Sequence, residues 1–275
     1  MNILISTSSF GKEDAAPLEL LRSEGFDITL NPYGRQLTIT EAAGLLKNMD
    51  GIIAGTEKLN GESLSDAGRL KYIVRLGTGM DNVDFPFAEQ RGIRVENTPD
   101  AHVDGVAELA LGGILDCLRR ISWSDRQIRT GTWVKPMGSL LKGKAVGLLG
   151  LGRVAKRLIT LLQPFDCKVL AFDPHFDHAY GEKNGILTAS KEEVCRQADI
   201  ISLHLPFSEI NRHIIDSAAF ALMKDQVVIA NTSRGGLVDE AALQEFLQAK
   251  PAATAYLDTF DQEPYNGPLA RLENV

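Results

Sequence analysis

Cysteine is scarce in this 275-residue chain: Cys117, Cys167 and Cys195 are the only three, and no Cys-x-x-Cys pair occurs. An odd, scattered set points to reduced thiols in a cytoplasmic protein, with Cys167 and Cys195 in apolar stretches that read as core. Long hydrophobic runs are missing too; none reaches the ~18 to 20 residues that span a bilayer. The start, Met1-Asn-Ile-Leu-Ile-Ser, lacks a basic region and turns polar at once, so it reads as a first β-strand and not as a signal peptide. There is no Lys/Arg block, and the net charge is −7, which argues against duplex nucleic acid and anionic membrane as partners. His175 and His178 are close in sequence, but no cysteine or acid completes a metal set with them, so both are expected to face solvent and no metal is expected.

What is present is a hydrophobic fraction of 44%, that of a globular protein with a sizeable core, in a chain long enough for two domains. Short aliphatic and β-branched runs alternate with amphipathic segments from end to end, the pattern of parallel α/β architecture. Strands are expected at residues 2–6, 27–30, 51–54, 72–74 and 94–96, with helical patterns such as 14–23 and 40–47 between them. Asn97-Thr-Pro marks a change of character. A long apolar helix over 103–119 follows, in which Gly112 and Gly113 permit close packing, and then a polar stretch runs to Lys142. Trp133 in that stretch either packs on a second subunit or folds back on its own helix. A second series has strands at 145–149, 168–172, 200–203, 227–230 and 253–257, with helices at 153–162, 191–196, 216–222 and 239–248.

Val146-Gly-Leu-Leu-Gly-Leu-Gly-Arg-Val-Ala follows a buried strand and opens a helix, and that context turns a weak glycine pattern into a strong one. Gly150 allows the tight turn, Gly152 lets backbone approach a pyrophosphate, and Ala155 is small enough for the helix to lie on the strand. The helix N-terminus then offers free N–H groups and a positive dipole end to the phosphates. Asp173 ends the next strand, where a carboxylate accepts hydrogen bonds from the ribose hydroxyls and repels a 2′-phosphate, so NAD is favoured over NADP.

Three further segments carry candidate chemistry. In Ile229-Ala-Asn-Thr-Ser-Arg-Gly-Gly-Leu-Val-Asp-Glu, Arg234 lies just past a strand's C-terminal end, where it can grip a carboxylate and polarise a carbonyl; Gly235 and Gly236 are expected to leave it reachable. In Leu257-Asp-Thr-Phe-Asp-Gln-Glu-Pro, Asp258 and Glu263 stand at another strand exit, although either alone reads more readily as a loop or cap carboxylate than as a functional group. In Arg75-Leu-Gly-Thr-Gly-Met-Asp-Asn-Val-Asp, backbone N–H groups around Gly77 and Gly79 form either an anion-binding nest or a plain strand–helix turn capped by Asp81.

These four segments, in this order, resemble the NAD-dependent D-isomer-specific 2-hydroxyacid dehydrogenases, and within that family the 3-phosphoglycerate dehydrogenase branch. The resemblance runs from about residue 51 onward. It implies an α/β protein of two Rossmann-like domains: a flavodoxin-like substrate domain over 1–97 and an NAD-binding, doubly wound parallel-sheet domain over 98–275, with catalysis in the cleft between them. It implies that Arg234 is the catalytic arginine and Glu263 the carboxylate partner of the catalytic histidine. Asp258 would hold the nicotinamide carboxamide, and Thr78, Arg153, Val154, Asp173, Leu205, Thr232 and Ser233 fall on cofactor positions beside Gly150 and Gly152. Arg75, Gly77 and Gly79 correspond to substrate contacts, and the helix over 103–119 with the Trp133 loop to a homodimer contact. The implied reaction interconverts a D-2-hydroxy acid and its 2-keto acid, foremost 3-phosphoglycerate and 3-phosphohydroxypyruvate of serine biosynthesis.

Two departures stand out. The family's acid/base histidine lies in a Pro-His segment just beyond Glu-Asn-Val; none of the five histidines, His204, His102 and His213 included, replaces it, and the chain reads as an incomplete one. Ala54 stands near the position of a phosphate-binding arginine in several phosphoglycerate dehydrogenases, which opens glyoxylate or hydroxypyruvate as alternative substrates; Arg75, Arg35 and Lys58 are the cations that could compensate. An NAD(H)-responsive binding protein, like the co-repressors that share this fold, is the rival from another class. It would need Gly150, Gly152 and Asp173 but has less use for Arg234 and Glu263.

Overall fold

The computed structural model describes all 275 residues, which divide into two compact units, Met1–His102 and Val103–Val275. In the first unit five short runs become β1 (Asn2–Ile5), β2 (Asp27–Leu30), β3 (Gly51–Ala54), β4 (Tyr72–Arg75) and β5 (Arg94–Asn97). They form one parallel sheet in the order β2-β1-β3-β4-β5, the flavodoxin-like order. That order reverses direction at β1 and β3, so a crevice opens at their C-terminal ends. The connections are α1 (Ala16–Ser23), α2 (Ile39–Leu46), α3 (Gly61–Leu64) and α4 (Phe85–Gln90). Local chemistry fixes their starts: Thr38 and Glu41 make a reciprocal capping box on α2, and Asn60 caps α3. The cap of α4 is Asp84, whose side chain accepts the Phe87 N–H at 3.1 Å, and not Asp81, the cap in the alternative reading of the 75–84 segment. Leu4, Leu46, Ile52, Leu59, Leu64 and Ile73 are fully buried between sheet and helices.

The second unit opens with α5 (Val103–Arg119) and α6 (Ile121–Arg129). A six-stranded parallel sheet follows in the order β11-β10-β9-β6-β7-β8: β6 (Ala145–Leu149), β7 (Lys168–Phe172), β8 (Leu187–Thr188), β9 (Ile200–Leu203), β10 (Val228–Asn231) and β11 (Thr254–Leu257). Its connections are α7 (Arg153–Leu162), α8 (His178–Asn184), α9 (Lys191–Gln197), α10 (Ser217–Leu222) and α11 (Glu240–Ala249). The strands are buried on both faces and are therefore nearly continuous aliphatic runs; β9 and β10 have no exposed residue. Helix α5 packs on α7, tied by an Arg157–Asp104 ion pair at 2.5 Å. Of the two glycines expected to allow close packing, only Gly113 does so: a Cβ there would meet the Tyr256 ring at 2.3 Å, whereas Gly112 faces open space. Trp133 does not fold back on its helix; it is 82% exposed. Cys195 is buried as expected and Cys167 only partly so. No helix is long and apolar enough to cross a membrane.

Candidate functional site

The glycine loop joins β6 to α7 at the C-terminal edge of the second sheet. Gly150 has φ +103°, and a Cβ on it would lie 2.7 Å from the His204 carbonyl carbon and 2.9 Å from the Leu205 nitrogen. Only glycine lets this turn pass under the exit of β9. Gly152 differs: it begins α7 with no side-chain cap, and a Cβ on it would meet nothing within 4 Å. An uncapped helix start beside open space is where a phosphate can approach backbone N–H groups. Ala155 is fully buried, so α7 lies close on the sheet.

Asp173, just beyond β7, is oriented by the loop it faces. Its Oδ2 accepts the Leu151 N–H at 2.6 Å and its Oδ1 the His175 N–H at 2.7 Å. Each oxygen keeps a further lone pair for a ribose hydroxyl. Behind it Lys156 pairs with Asp177 at 2.6 Å and lies 4.6 Å from the centre of the Tyr180 ring, which fixes the start of α8. Arg153 is exposed and Val154 partly buried on the first turn of α7. His175 and His178 are exposed, and His204 donates its backbone N–H to Leu149 while its ring nitrogen lies 2.9 Å from the Ser202 hydroxyl. Burial pushes the His204 imidazole down to about 4, so it is neutral at physiological pH.

The exits of β10 and β11 are joined by a direct backbone contact. A Cβ on Gly235 would fall 1.9 Å from the Phe260 carbonyl carbon, and one on Gly236 would strike the Phe207 ring at 2.6 Å. The two glycines therefore do not serve to expose Arg234, as the sequence suggested; they are buried and bring the Arg234 loop against residues 260 and 261. Asn231 steadies the same loop, donating to the Arg234 carbonyl at 2.8 Å and accepting the Ser233 N–H at 3.1 Å. The Ser233 hydroxyl donates to the buried Leu205's carbonyl at 2.6 Å, while the Thr232 hydroxyl is buried with no partner, an orphan a ligand could satisfy. Arg234 donates to the Ser233 carbonyl at 2.8 Å. Glu263 accepts the Phe260 N–H at 3.0 Å and bonds no histidine. Asp258 follows β11, its N–H on the Asn231 carbonyl, and partial desolvation together with the like charge of Glu263 raises its carboxyl above the usual carboxylate range.

In the first unit the loop after β4 holds Arg75, Gly77, Thr78 and Gly79. Arg75 is 7% exposed, and its guanidinium turns back to donate to the Leu76 carbonyl. Gly77, at φ +131°, is shaped around it, since a Cβ would lie 2.8 Å from the Arg75 Nη1. The expected nest is smaller than the sequence suggested, because the Gly77 N–H is already given to Thr98 Oγ1 at 2.8 Å. The N–H groups of Thr78 and Gly79 make no backbone or side-chain hydrogen bond. The Thr78 hydroxyl lies 2.9 Å from the His102 Nε2. Sequence reasoning missed a polar group on the neighbouring strand ends: Ser6, Thr7, Gly55 and Glu57. Its signal was a glutamate two residues past a glycine at the end of β3, opposite a Ser-Thr-Ser-Ser run at the end of β1.

Two parallel α/β units, one with a glycine loop, an uncapped helix start and an acid just past the next strand, define a dinucleotide-binding protein. A family model described as "D-isomer specific 2-hydroxyacid dehydrogenase, NAD binding domain" matches residues 111–275. The chain is 37% identical over 245 residues to a D-3-phosphoglycerate dehydrogenase of Methanocaldococcus jannaschii, covering 87% of this chain and 47% of that protein. It is 36% identical over 231 residues to a hydroxypyruvate reductase of Thermotoga maritima, covering 82% of this chain and 74% of the relative. The solved D-lactate dehydrogenase of Escherichia coli superposes with TM-score 0.81 at 27% identity, over 96% of this chain and 84% of that one. The chain belongs to the D-isomer-specific 2-hydroxyacid dehydrogenase family and carries its NAD-binding domain. It spans about half the length of several curated relatives it matches.

Proposed function

We propose that the protein is an NAD-dependent dehydrogenase that interconverts a D-2-hydroxy acid and its 2-keto acid. The observation that carries this reading is the joined pair of strand exits, which holds Arg234, Asp258 and Glu263 on the same sheet edge as the glycine loop. Gly150, Gly152 and the start of α7 would hold the pyrophosphate, and Asp173 the adenosine ribose. Leu205, Thr232, Ser233, Arg153 and Val154 would line the rest of the cofactor site, with Asp258 accepting from the carboxamide. NAD(H), when bound, supplies or accepts the hydride.

Arg234 would grip the substrate carboxylate and stabilise charge on the reacting oxygen, a contribution that grows in the transition state. In the first unit the Thr78 and Gly79 N–H groups suit an anion, and Arg75 and Gly77 shape that loop. Glu263, fixed by the Phe260 N–H, would orient and charge a histidine acting as acid and base. His204 does not suit that task, being neutral and engaged with Ser202.

The relatives named D-3-phosphoglycerate dehydrogenase favour the 3-phosphoglycerate/3-phosphohydroxypyruvate pair. A second reading, hydroxypyruvate or glyoxylate, is favoured by a specific observation: Ala54 is fully buried and puts no cation at the end of β3. We also propose that the exposed 132–140 segment with α5 forms a homodimer contact.

NADH oxidation against 3-phosphohydroxypyruvate, hydroxypyruvate, glyoxylate and 2-ketoglutarate tests the reading. Turnover of at least one is expected, with Arg234→Ala lowering kcat/KM by about a hundredfold or more and Asp173→Ala narrowing the preference for NADH over NADPH. NADH binding without turnover of any of the four would favour an NAD(H)-responsive binding protein instead.

A further inference from the structure

Four cations gather at the N-terminal strand ends of the first sheet, the end opposite to the 77–79 loop. Arg69 lies in the loop before β4, Lys71 stands at the start of that strand, Arg91 ends α4 and Arg94 opens β5. With Tyr72, and with Asp50 just before β3, they line an open cavity of about 720 Å³. Gly68 and Gly92 border the same space, and a Cβ on either would meet nothing within 4 Å. The chain as a whole has 36 acidic residues against 29 Lys and Arg, yet here four cations face one carboxylate.

Rigid backbone sets these side chains. The Lys71 N–H donates to the Asp50 carbonyl at 2.8 Å and the Arg94 N–H to the Lys71 carbonyl at 2.9 Å, so the three strand starts are locked at ~4.8 Å intervals. Tyr72 pairs with Arg94 in register, which puts both side chains on one face of the sheet. The lone carboxylate is already engaged: Asp50 Oδ1 accepts the Arg69 Nη2 at 2.9 Å and Oδ2 the Asn2 N–H at 2.8 Å. Arg94 pairs at 2.5 Å with Glu96, two residues along its own strand. Arg91 meets no carboxylate; it donates to the Ser65 carbonyl at 3.3 Å and lies 5.7 Å from the centre of the Phe87 ring. The Lys71 ammonium has no hydrogen bond or ion pair within the chain. Like charges held side by side on neighbouring strands repel and lower stability unless a counter-charge joins them.

We propose that this cavity binds an anion carrying two or more phosphate groups, either free or as part of a nucleotide. Arg91 and Arg94 offer planar forks that suit phosphate oxygens, and Lys71 adds a point charge beside them. The Tyr72 ring, 43% exposed, presents a flat face for a base. The cavity exceeds a single phosphate group and falls in the range of small-ligand sites, ~300 to 1,000 Å³. It lies wholly in the first unit, whereas the glycine loop belongs to the second, so the proposal does not depend on the dehydrogenase reading.

Calorimetric titration of the whole chain with pyrophosphate and with ADP tests the site, in an excess of NADH to keep both probes off the glycine loop. Saturable one-to-one binding is expected for both, weakening as salt rises. Lys71→Gln should weaken it about tenfold, the share of one charge-assisted hydrogen bond, and Lys71→Gln combined with Arg91→Gln about a hundredfold. Both side chains are exposed, so neither variant puts the fold at risk. Lys12→Gln makes the same change of charge past β1, at the opposite end of the sheet, and should leave the affinity as it was. ADP binding more tightly than pyrophosphate, with the advantage lost in Tyr72→Ala, would support a nucleotide; equal affinities would support the bare phosphate anion. No binding of either probe, a Lys71→Gln protein that binds like the parent, or equal weakening by Lys12→Gln would each overturn the proposal.

Discussion

Both carboxylate oxygens of Asp173 accept backbone N–H groups, from Leu151 and from His175. The acid proposed to read the ribose is therefore also a strut of the glycine loop, and its removal should affect loop order as well as cofactor choice. Its position at the end of a strand was legible in the sequence; its bond to Leu151 was not, because that contact spans two strands. His204 shows a second residue-scale effect, set by desolvation alone. Its folded value of about 4 lies below the ordinary 6.5, so between these values the unfolded chain binds a proton that the folded chain does not. Stability contributed by the neutral ring is complete above pH 6.5 and is lost as pH falls toward 4. The loss amounts to up to about 3 kcal/mol. Urea midpoints measured from pH 7.5 down to 4.5 should fall, and His204→Gln, which cannot titrate, should flatten that fall. An equal slope in the variant would show that other groups carry it.

Strands and long helices were the most legible elements, because a strand buried on both faces has to be a run of Val, Ile, Leu and Ala. The expected 51–54, 145–149, 168–172 and 200–203 agree with β3, β6, β7 and β9. Helix α6 was read as a polar stretch, and reasonably so: none of its residues is buried, so periodicity had no apolar face to report. The two-residue β8 was too short to show a pattern. Glycines were the least legible feature, since sequence cannot tell a glycine that admits a ligand from one that admits neighbouring backbone. Gly152 faces open space, where we propose the ligand, whereas Gly235 is of the second kind. Gly235→Ala should destabilise the protein by about 1 to 3 kcal/mol, because Phe260 and Asp261 must move aside. Gly152→Ala should cost under about 1 kcal/mol, yet weaken NADH binding by narrowing the approach to α7. Chemical denaturation paired with NADH titration separates the two, and a stable Gly235→Ala protein would remove the packing account of the joined strand exits.

At the scale of the whole molecule, two sheets of different strand order each place their candidate groups at the C-terminal strand ends, which is why four short segments distant in sequence could be read together. The proposed self-association surface was less legible, because an exposed aromatic and a folded-back one look alike in sequence. In the structure the 132–140 segment has no regular secondary structure, and Trp133, Val134, Met137 and Leu140 are 82%, 46%, 96% and 67% exposed. Isolated apolar side chains on a surface need no explanation, but four within eight residues of one irregular segment are a concentration of the kind that marks a protein contact. A net charge of −7 opposes nonspecific clustering, so burial of these residues should lead to a defined pair. A dimer is therefore expected in sedimentation velocity at micromolar concentration. Trp133→Asp together with Met137→Asp should shift it to monomer, since each substitution places a carboxylate where apolar surface would be buried at ~25 cal/mol per Å². A monomeric parent protein, or a double variant that stays dimeric, would place the contact elsewhere or remove it.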